Sequence, residues 1–213
     1  MQGLIGKKIG MTQVWDAEGR RVAVTVLEVG PCPVVQVKTP AQDGYSAAQV
    51  GFVAQKPQRL SKAVRTRYEK AGVAPCRELR EFKLSADDTV KVGDTMTVAM
   101  FDGVGLVDVT ATCKGRGFAG VVRRYRMGGG PMTHGGHSKR RIGGIGARDL
   151  PGWVEKGKHM PGHMGNVQVT TRNLAVVQVR PEDNLLLVRG SVPGANGEIV
   201  IVRKALKLQN AAK

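Results

Sequence analysis

The sequence predicts a mainly β protein: one closed antiparallel body, a barrel or a sandwich, that carries a long, irregular Gly/Arg-rich extension. Three observations lead to this fold class. Short β-branched or alternating runs fill residues 1–113, and similar runs return after residue 166. The 53 residues between them, 114–166, contain 15 glycines and 11 lysines or arginines. Such a segment has too little apolar surface to offset the entropy of its own ordering, so it should be disordered alone in water.

The first part of the body alternates strand-like runs with turns. Strands are predicted at Lys8–Trp15, Val22–Val29, Val34–Lys38, Ala47–Val53, Met96–Phe101 and Val107–Thr112. A short helix is predicted at Ser61–Ala71, because Ser61 suits an N-cap and Gly72 follows the last helical residue. This part of the chain therefore has strand character throughout, interrupted by one helix.

The second part of the body follows the extension. Strands are predicted at Leu174–Arg180, Leu185–Arg189 and Ile199–Arg203, and the pair Asn196-Gly197 before the last of them favours a hairpin. We therefore expect residues 1–113 and 167–213 to form one body, with residues 114–166 as the extension. Doubled back on itself, a loop of this length reaches at most about 85 Å at roughly 3.3 Å per residue. So long a loop is either functional or disordered.

The distribution of charge indicates a polyanionic partner. The formal net charge is +16, and residues 1–113, 114–166 and 167–213 contribute +3, +9 and +4. A quarter of the chain thus holds more than half of the charge, which is typical of a nucleic-acid-binding protein. A membrane is not favoured, because there is no apolar run near 18 residues and no basic amphipathic helix.

The cysteines and the N-terminus indicate the compartment. Three widely spaced cysteines do not form a disulfide framework, and the first residues lack the apolar region of a signal peptide. We therefore expect a soluble protein of a reducing compartment, the cytoplasm.

One motif invites a different interpretation. Gly115, Gly117 and Gly120 match the dinucleotide pattern G-x-G-x-x-G, after a predicted strand and before a predicted helix at Val121–Arg126. However, no strand follows to complete a βαβ unit, and no acidic residue lies about 20 positions further on. A basic turn leading into an RNA-facing helix is favoured over an enzyme that binds a nucleotide.

All four histidines lie in the extension, at positions 134, 137, 159 and 163. Their spacing allows a zinc-dependent RNA-binding module, although structural zinc sites usually contain cysteine. We expect no metal, no cofactor, and histidines that contact phosphate, 2′-hydroxyl groups or bases.

Two further interpretations concern catalysis and stacking. Ser138, His134 and Asp149 contain the residue types of a catalytic triad, but no nucleophile elbow or oxyanion turn accompanies them. Trp153 is expected either to make a local contact with Leu150 or Val154 or to stack on a base.

In order along the chain, several segments resemble a known family. They are GLIGKKIGMTQVW, GPCPVVQVKT, DGYSAAQVGF, LREF, FDGVGLVDVTATCKGRGFAGVVRRYR, PMTHGGHS, IGGIG, PGWVEKGKHMPGHMGN and NLLLVRGSVPGANG. Together they are similar to the family of bacterial large-subunit ribosomal protein number three, over essentially the whole chain.

The resemblance implies a fold and a set of partners. The fold is a six-stranded, Greek-key-like barrel with a small α/β elaboration, placed here at residues 57–94. The implied function is direct binding near the 3′ end of 23S-type rRNA early in assembly, beside neighbouring ribosomal proteins. A loop tip near the peptidyl transferase centre is also implied, with no catalysis and no homo-oligomer. By motif match the tip contains Gly143, Gly144, Ile145, Gly146, Ala147, Arg148, Asp149, Leu150, Pro151 and Gly152.

This chain departs from the family pattern at two positions. Bacterial members often carry a side-chain-methylated glutamine where Ala147 stands, so that modification is absent here. Cys113 replaces the usual small hydroxyl residue, so a hydroxyl bond to RNA at that position is in doubt.

The sequence thus predicts a non-enzymatic rRNA-binding scaffold of the large subunit. A mobile translation factor with a similar barrel is the third rival, after the nucleotide enzyme and the zinc module, and the lack of a GTP-binding signature weighs against it. The residues expected to contact RNA are Lys114, Arg116, Arg123, Arg124, Arg126, His134, His137, Lys139, Arg140, Arg141, Arg148, Trp153, Lys156, Lys158, His159 and His163.

Overall fold

The computed structural model of this chain describes residues 1–16, 18–85 and 88–205. The end of the predicted body, residues 206–213, lies outside the described residues. The chain divides into two units. One consists of Met1–Thr112 with the chain from Gln168 onward, and the other is Cys113–Val167.

Strands dominate the described residues. In chain order they are β1 (Gly3–Trp15), β2 (Arg21–Val29), β3 (Cys32–Lys38), β4 (Ala47–Ala54), β5 (Cys76–Lys83), β6 (Thr95–Met96), β7 (Leu106–Thr112), β8 (Phe118–Ala119), β9 (Gly162–His163), β10 (Gln168–Arg180), β11 (Leu185–Arg189) and β12 (Ile199–Lys204). The α-helices are α1 (Pro40–Asp43), α2 (Lys62–Ala71) and α3 (Val121–Tyr125), and short 3-10 turns lie at Pro57–Arg59 and Val98–Phe101. No helix in these described ranges is long and apolar enough to cross a membrane.

Six antiparallel strands of the first unit close into a barrel, in the order β1-β12-β7-β10-β11-β2. The last strand, β12, pairs with β1 on one side and with β7 on the other. Strands from the N-terminal and C-terminal parts of the chain therefore close the barrel together. The predicted mainly β fold is confirmed, and the barrel rather than the sandwich is formed.

A second sheet belongs to the same unit, with the strand order β5-β4-β3-β6. Helix α2 packs against it through Tyr68, whose hydroxyl donates to the Cys76 carbonyl at 3.1 Å. Because this sheet includes β3 and β4, it begins well before residue 57, where the sequence placed the elaboration.

The core lies where alternating side chains of the barrel point inward. Val24 and Leu27 of β2, Leu186 of β11, and Val200 and Val202 of β12 are fully buried. Burying each such side chain contributes roughly 1.5–3 kcal/mol relative to leaving it exposed. The barrel core is continuous with residues of the second sheet, so both sheets share one apolar cluster.

Two local predictions are wrong for reasons of packing. Met96–Phe101 is a strand only at Met96, since Val98–Phe101 forms a 3-10 turn that buries Val98 and Phe101 completely. Strand β5 was missed because its sequence, CRELREFK, has few β-branched residues and six of its eight side chains are not buried. The edge position of β5 in its sheet accounts for that polarity.

The predicted hairpin at Asn196-Gly197 is also wrong, because β11 and β12 are not neighbours in the barrel. The intervening loop packs on β1 instead. The Gly197 amide donates to the Lys8 carbonyl at 2.7 Å, and the buried Lys8 ammonium donates to the Val192 carbonyl at 2.7 Å and the Gly194 carbonyl at 3.2 Å. A cation buried in this way needs such acceptors.

The helix prediction is confirmed apart from its cap. Helix α2 starts one residue later than predicted, and Gly72 follows its end in the left-handed conformation at φ 65°. Ser61 stands at the N-cap position, but its side chain makes no capping hydrogen bond.

A polar cluster on the second sheet provides a pH-dependent test of stability. The Glu81 carboxylate accepts from Lys38 at 2.9 Å, Tyr45 at 2.8 Å and Gln49 at 3.3 Å, which holds the Glu81 pKa below its usual value. A carboxyl group with a lowered folded-state pKa stabilises the fold above its unfolded pKa, and this contribution disappears as pH falls through the folded pKa. We expect Glu81→Gln to destabilise the protein at pH 7 and to show a smaller deficit at about pH 3, because protonation of Glu81 at acid pH weakens its bonds in the wild type.

Urea unfolding at both pH values measures this difference. Glu182→Gln, which alters an exposed turn residue with no ion pair among the described residues, is the matched control. An equal deficit of the Glu81 variant at both pH values would contradict the assignment.

Candidate nucleic-acid interface

The unit Cys113–Val167 is the extension, and a stem of backbone hydrogen bonds joins its two ends. The Cys113 amide donates to the Val167 carbonyl at 2.9 Å, and the Arg116 amide donates to the Met164 carbonyl at 2.8 Å. The Met164 amide returns a bond to Gly117 at 2.9 Å, and β8 then pairs with β9. We call residues 113–119 and 162–167 the stem. The chain of this unit therefore doubles back on itself.

Beyond the stem, aromatic and polar contacts hold the two arms together. The rings of Tyr125 and His159 stack with centroids 4.0 Å apart and planes 5° from parallel. The Arg124 guanidinium donates to the Met160 carbonyl at 2.8 Å and lies 5.0 Å from the Tyr125 ring centroid. We call these four residues the clasp. Helix α3 supplies its first half, and Arg126 ends that helix in the left-handed conformation at φ 58°.

The glycine motif at Gly115–Gly120 forms part of this stem. Arg116 and Gly117 use their backbone groups for hydrogen bonds with Met164, and β8 pairs with β9 rather than with the parallel strand of a βαβ unit. Helix α3 is only five residues long. The structure thus gives the motif a role in joining two arms of the extension, which differs from the geometry of a dinucleotide fold.

Past the clasp, the chain is held by close backbone approaches. The Gly130 amide donates to the Lys139 carbonyl at 3.2 Å, which closes a first loop. A Cβ on Gly146 would lie 3.2 Å from the Trp153 carbonyl oxygen, so the backbone is also closely apposed there. The ten residues at 143–152 are all exposed. These residues form the turn of the extension between its two arms.

The predicted contact residues are almost all accessible. Fifteen of the sixteen are exposed, and Arg124 is half-buried in the clasp. His159 also belongs to the clasp, because it stacks on Tyr125 although its side chain is exposed. The structure brings Arg124 and His159 together and leaves the others distributed along the extension.

The positive charge of the extension is almost unpaired among the residues that the structure describes. Within the described residues, Arg148 with Asp149 at 3.9 Å is the one ion pair made by the eleven lysines and arginines, and both side chains are at least 90% exposed. An exposed pair of this kind contributes little to stability. The extension therefore presents a net charge of +9 to its surroundings.

The two alternative sites considered for the extension are a metal site and a catalytic triad. No group of three His, Cys, Asp or Glu residues suited to a metal ion occurs within residues 1–16, 18–85 and 88–205. Over the same ranges, Ser138, His134 and Asp149 share no hydrogen bond.

Trp153 directly follows the turn at residues 143–152. Its side chain is 68% exposed, and Leu150 and Val154 are 87% and 42% exposed. A local apolar contact that buried these residues against one another would have left lower values. The indole ring is therefore accessible, and aromatic rings that are accessible in this way can stack on nucleic-acid bases.

Comparisons with known protein sequences identify a family. Residues 79–184 match the family Ribosomal protein L3. The chain is 46% identical over 213 residues to large ribosomal subunit protein uL3 of Brachyspira pilosicoli and 45% identical to that of Brachyspira hyodysenteriae. Each match covers 100% of this chain and 98% of the relative.

A long segment with so dense a positive charge is the electrostatic pattern typical of nucleic-acid-binding proteins. Identity of this extent over the full length then decides the family. The chain belongs to the ribosomal protein L3 family of the large ribosomal subunit.

One structurally important residue of the extension was missed. Tyr125 lies among arginines in the segment VVRRYR, and its role in the clasp depends on His159, 34 positions later. Its aromatic side chain beside a glycine-rich segment was the available signal. No sequence pattern indicated His159 as its distant partner.

Proposed function

We propose that this protein is a non-enzymatic scaffold of the large ribosomal subunit that binds 23S-type rRNA directly near its 3′ end and helps to nucleate assembly. The observation that carries the proposal is the exposed, almost unpaired charge of the extension. RNA phosphates are the partner that such charge selects, because neutralising them releases counterions. Membership of a family of ribosomal proteins supports RNA as that polyanion.

The form of the extension also supports RNA over a small ligand. Arginine guanidinium groups bind phosphate through paired N–H donors and stack on unpaired bases. Glycine lets the backbone approach an irregular RNA surface closely. The exposed histidines and Trp153 add hydrogen bonds and a stacking surface. The ordering entropy of the extension is offset on binding.

The tip of the extension lies near the peptidyl transferase centre and catalyses no step of its reaction. The supporting observations are the exposure of all ten residues 143–152 and the arms that carry them. Ala147 has no side chain group to modify or to donate. One copy of the protein acts in each subunit, in the cytoplasm, beside neighbouring ribosomal proteins, without a cofactor and without forming a homo-oligomer.

Directed cleavage of rRNA from the tip tests this placement. Cys32 and Cys76 are buried and Cys113 is half-buried, so Ala147→Cys in a Cys113→Ser background gives one well-exposed thiol. We expect an iron chelate tethered at position 147 to cleave rRNA around the peptidyl transferase centre in assembled subunits.

The matched control is Ser61→Cys in the same background, an exposed position before α2 on the other unit. It should give a different cleavage pattern. Cleavage from position 147 confined to rRNA at the outer surface of the subunit would refute the proposed tip placement.

A further inference from the structure

We propose that the outer wall of the barrel carries a second RNA site, a depression that binds backbone phosphate through Arg172 and Arg203 beside the hydroxyls of Thr110 and Thr170. The inference rests on the proposed function, since it assumes that the partner is rRNA. It concerns the first unit, which the predicted contact residues leave entirely out.

Strand register places these residues on one outward-facing surface. Thr110 of β7 lies between Ile201 of β12 and Thr170 of β10, and Arg203 lies opposite Asp108. The neighbours of Arg203 and Thr110 in sequence, such as Val202 and Val109, are fully buried in the barrel. Because strand side chains alternate, the polar set points outward. It lines an open depression of about 190 Å³ formed by Gln2, Asp108, Thr110, Thr170, Arg172, Arg203 and Lys204.

A β-bulge aims Arg172 into this depression. The register between β10 and β7 shifts between Thr171 and Leu174, so Arg172 and Asn173 both lie opposite Asp108. Asn173 adopts φ 55°, and its backbone amide donates to the Asp108 carboxylate at 2.8 Å. Bulges of this kind redirect a side chain out of the regular ladder. Asp108 is thus engaged in holding the bulge, and only 8% of it is exposed.

The positive charges of Arg172 and Arg203 are not neutralised by a neighbouring carboxylate among the described residues. Neither Arg172 nor Arg203 forms an ion pair with a carboxylate in the part of the chain that the structure describes. The Arg203 guanidinium lies 5.8 Å from the Phe82 ring centroid, which orients it.

The hydroxyl pair completes a phosphate-binding surface. The Thr110 and Thr170 Oγ1 atoms are 2.8 Å apart, so one hydroxyl donates to the other and the second can donate outward. Arginine forks and hydroxyl donors are the groups that proteins use most often to position a nucleic-acid backbone. The lining lies on the outer face of the barrel strands, where a polymer can pass across it. The ligand is therefore the phosphodiester backbone of rRNA, and the site positions RNA without reading its sequence.

The test compares charge-matched variants of the full-length protein for binding to a 3′-region fragment of large-subunit rRNA. Arg172→Gln/Arg203→Gln removes the proposed contacts. Arg180→Gln/Arg189→Gln makes the same change in charge at exposed positions on the same barrel that do not line the depression. Circular dichroism and thermal unfolding establish that both variants fold.

We expect the first double variant to bind about 10- to 100-fold more weakly. Its slope of log affinity against log salt should fall by roughly 1.4–1.8, at ~0.7–0.9 per contact. The control variant should keep the wild-type slope. Thr170→Val, which removes a hydroxyl at nearly constant volume, should weaken binding by about 3- to 10-fold with an unchanged salt slope.

Three results would overturn the proposal. The first is an unchanged salt slope in Arg172→Gln/Arg203→Gln, in a case where the wild type prefers the rRNA fragment and loss of the extension weakens binding. That result rules out this site and leaves the proposed function intact. Unchanged RNA binding with poor incorporation into subunits would make this wall a protein-docking surface. No preference of the wild-type protein for the rRNA fragment would remove both the proposed function and this site.

Discussion

A protein whose residues 128–157 are replaced by a short Gly/Ser linker should keep its barrel and lose most of its affinity for rRNA. The rings of Tyr125 and His159 stack across the two arms with centroids 4.0 Å apart, so the arms lie side by side at this level and a short linker can join Met127 to Lys158. The deletion removes five of the eleven basic residues of the extension and both of its acidic residues. If each basic residue contacts one phosphate, the salt slope falls by roughly 3.5–4.5.

Fluorescence anisotropy with the 3′-region fragment measures affinity, and sedimentation of cell extracts measures subunit assembly. We expect affinity to fall by at least about 100-fold and large-subunit precursors to accumulate. A full-length variant with Lys139, Arg140, Arg141, Arg148 and Lys156 changed to Gln separates charge from length. Normal assembly in the linker variant would show that the extension is dispensable.

Gly165→Ala should be far more harmful than Gly157→Ala, although both glycines have φ +79°. At Gly157 an added Cβ meets nothing within 4 Å, so only the left-handed backbone conformation opposes the change, at about 1 kcal/mol. At Gly165 the added Cβ would collide with the backbone carbonyl of Lys114 in the stem. The atoms that the Cβ would meet belong to the backbone of Lys114 and Gly115 and not to a flexible side chain, so the stem itself must move.

The expected result is a loss of rRNA affinity of about 10- to 100-fold for Gly165→Ala and about fivefold for Gly157→Ala. Amide hydrogen exchange of the RNA-bound proteins locates the damage, with faster exchange expected at Arg116 and Met164 in the first variant only. Equal effects of the two substitutions would mean that the stem hydrogen bonds do not order the extension for binding.

Much of the barrel could be predicted because its strands carry their own signal. The runs at β2, β7, β11 and β12 alternate or are β-branched, and all four were predicted to within two residues at either end. Features that depend on a contact with a residue distant in sequence could not be predicted. The Asn196-Gly197 pair has the composition of a hairpin turn, but the buried Lys8 draws that loop onto β1.

The same distinction applies to the candidate interface. Composition alone located the basic extension, because charge and glycine are properties of single residues. The clasp of Tyr125 with His159 and the outward grouping of Arg172 with Arg203 depend on strand register and on contacts between distant residues. Arg172 also depends on a bulge that Asp108 holds, which no pattern in the strand sequence indicates.

The central claim is that the basic charge of this protein serves a specific rRNA partner. The most direct measurement is the affinity of the full-length protein for a 3′-region fragment of large-subunit rRNA and for an unrelated structured RNA of equal length, at two salt concentrations. We predict a clear preference for the rRNA fragment that persists at the higher salt concentration. Equal affinities that fall together with salt would contradict the claim, and the extension would then be a general polyanion-binding segment.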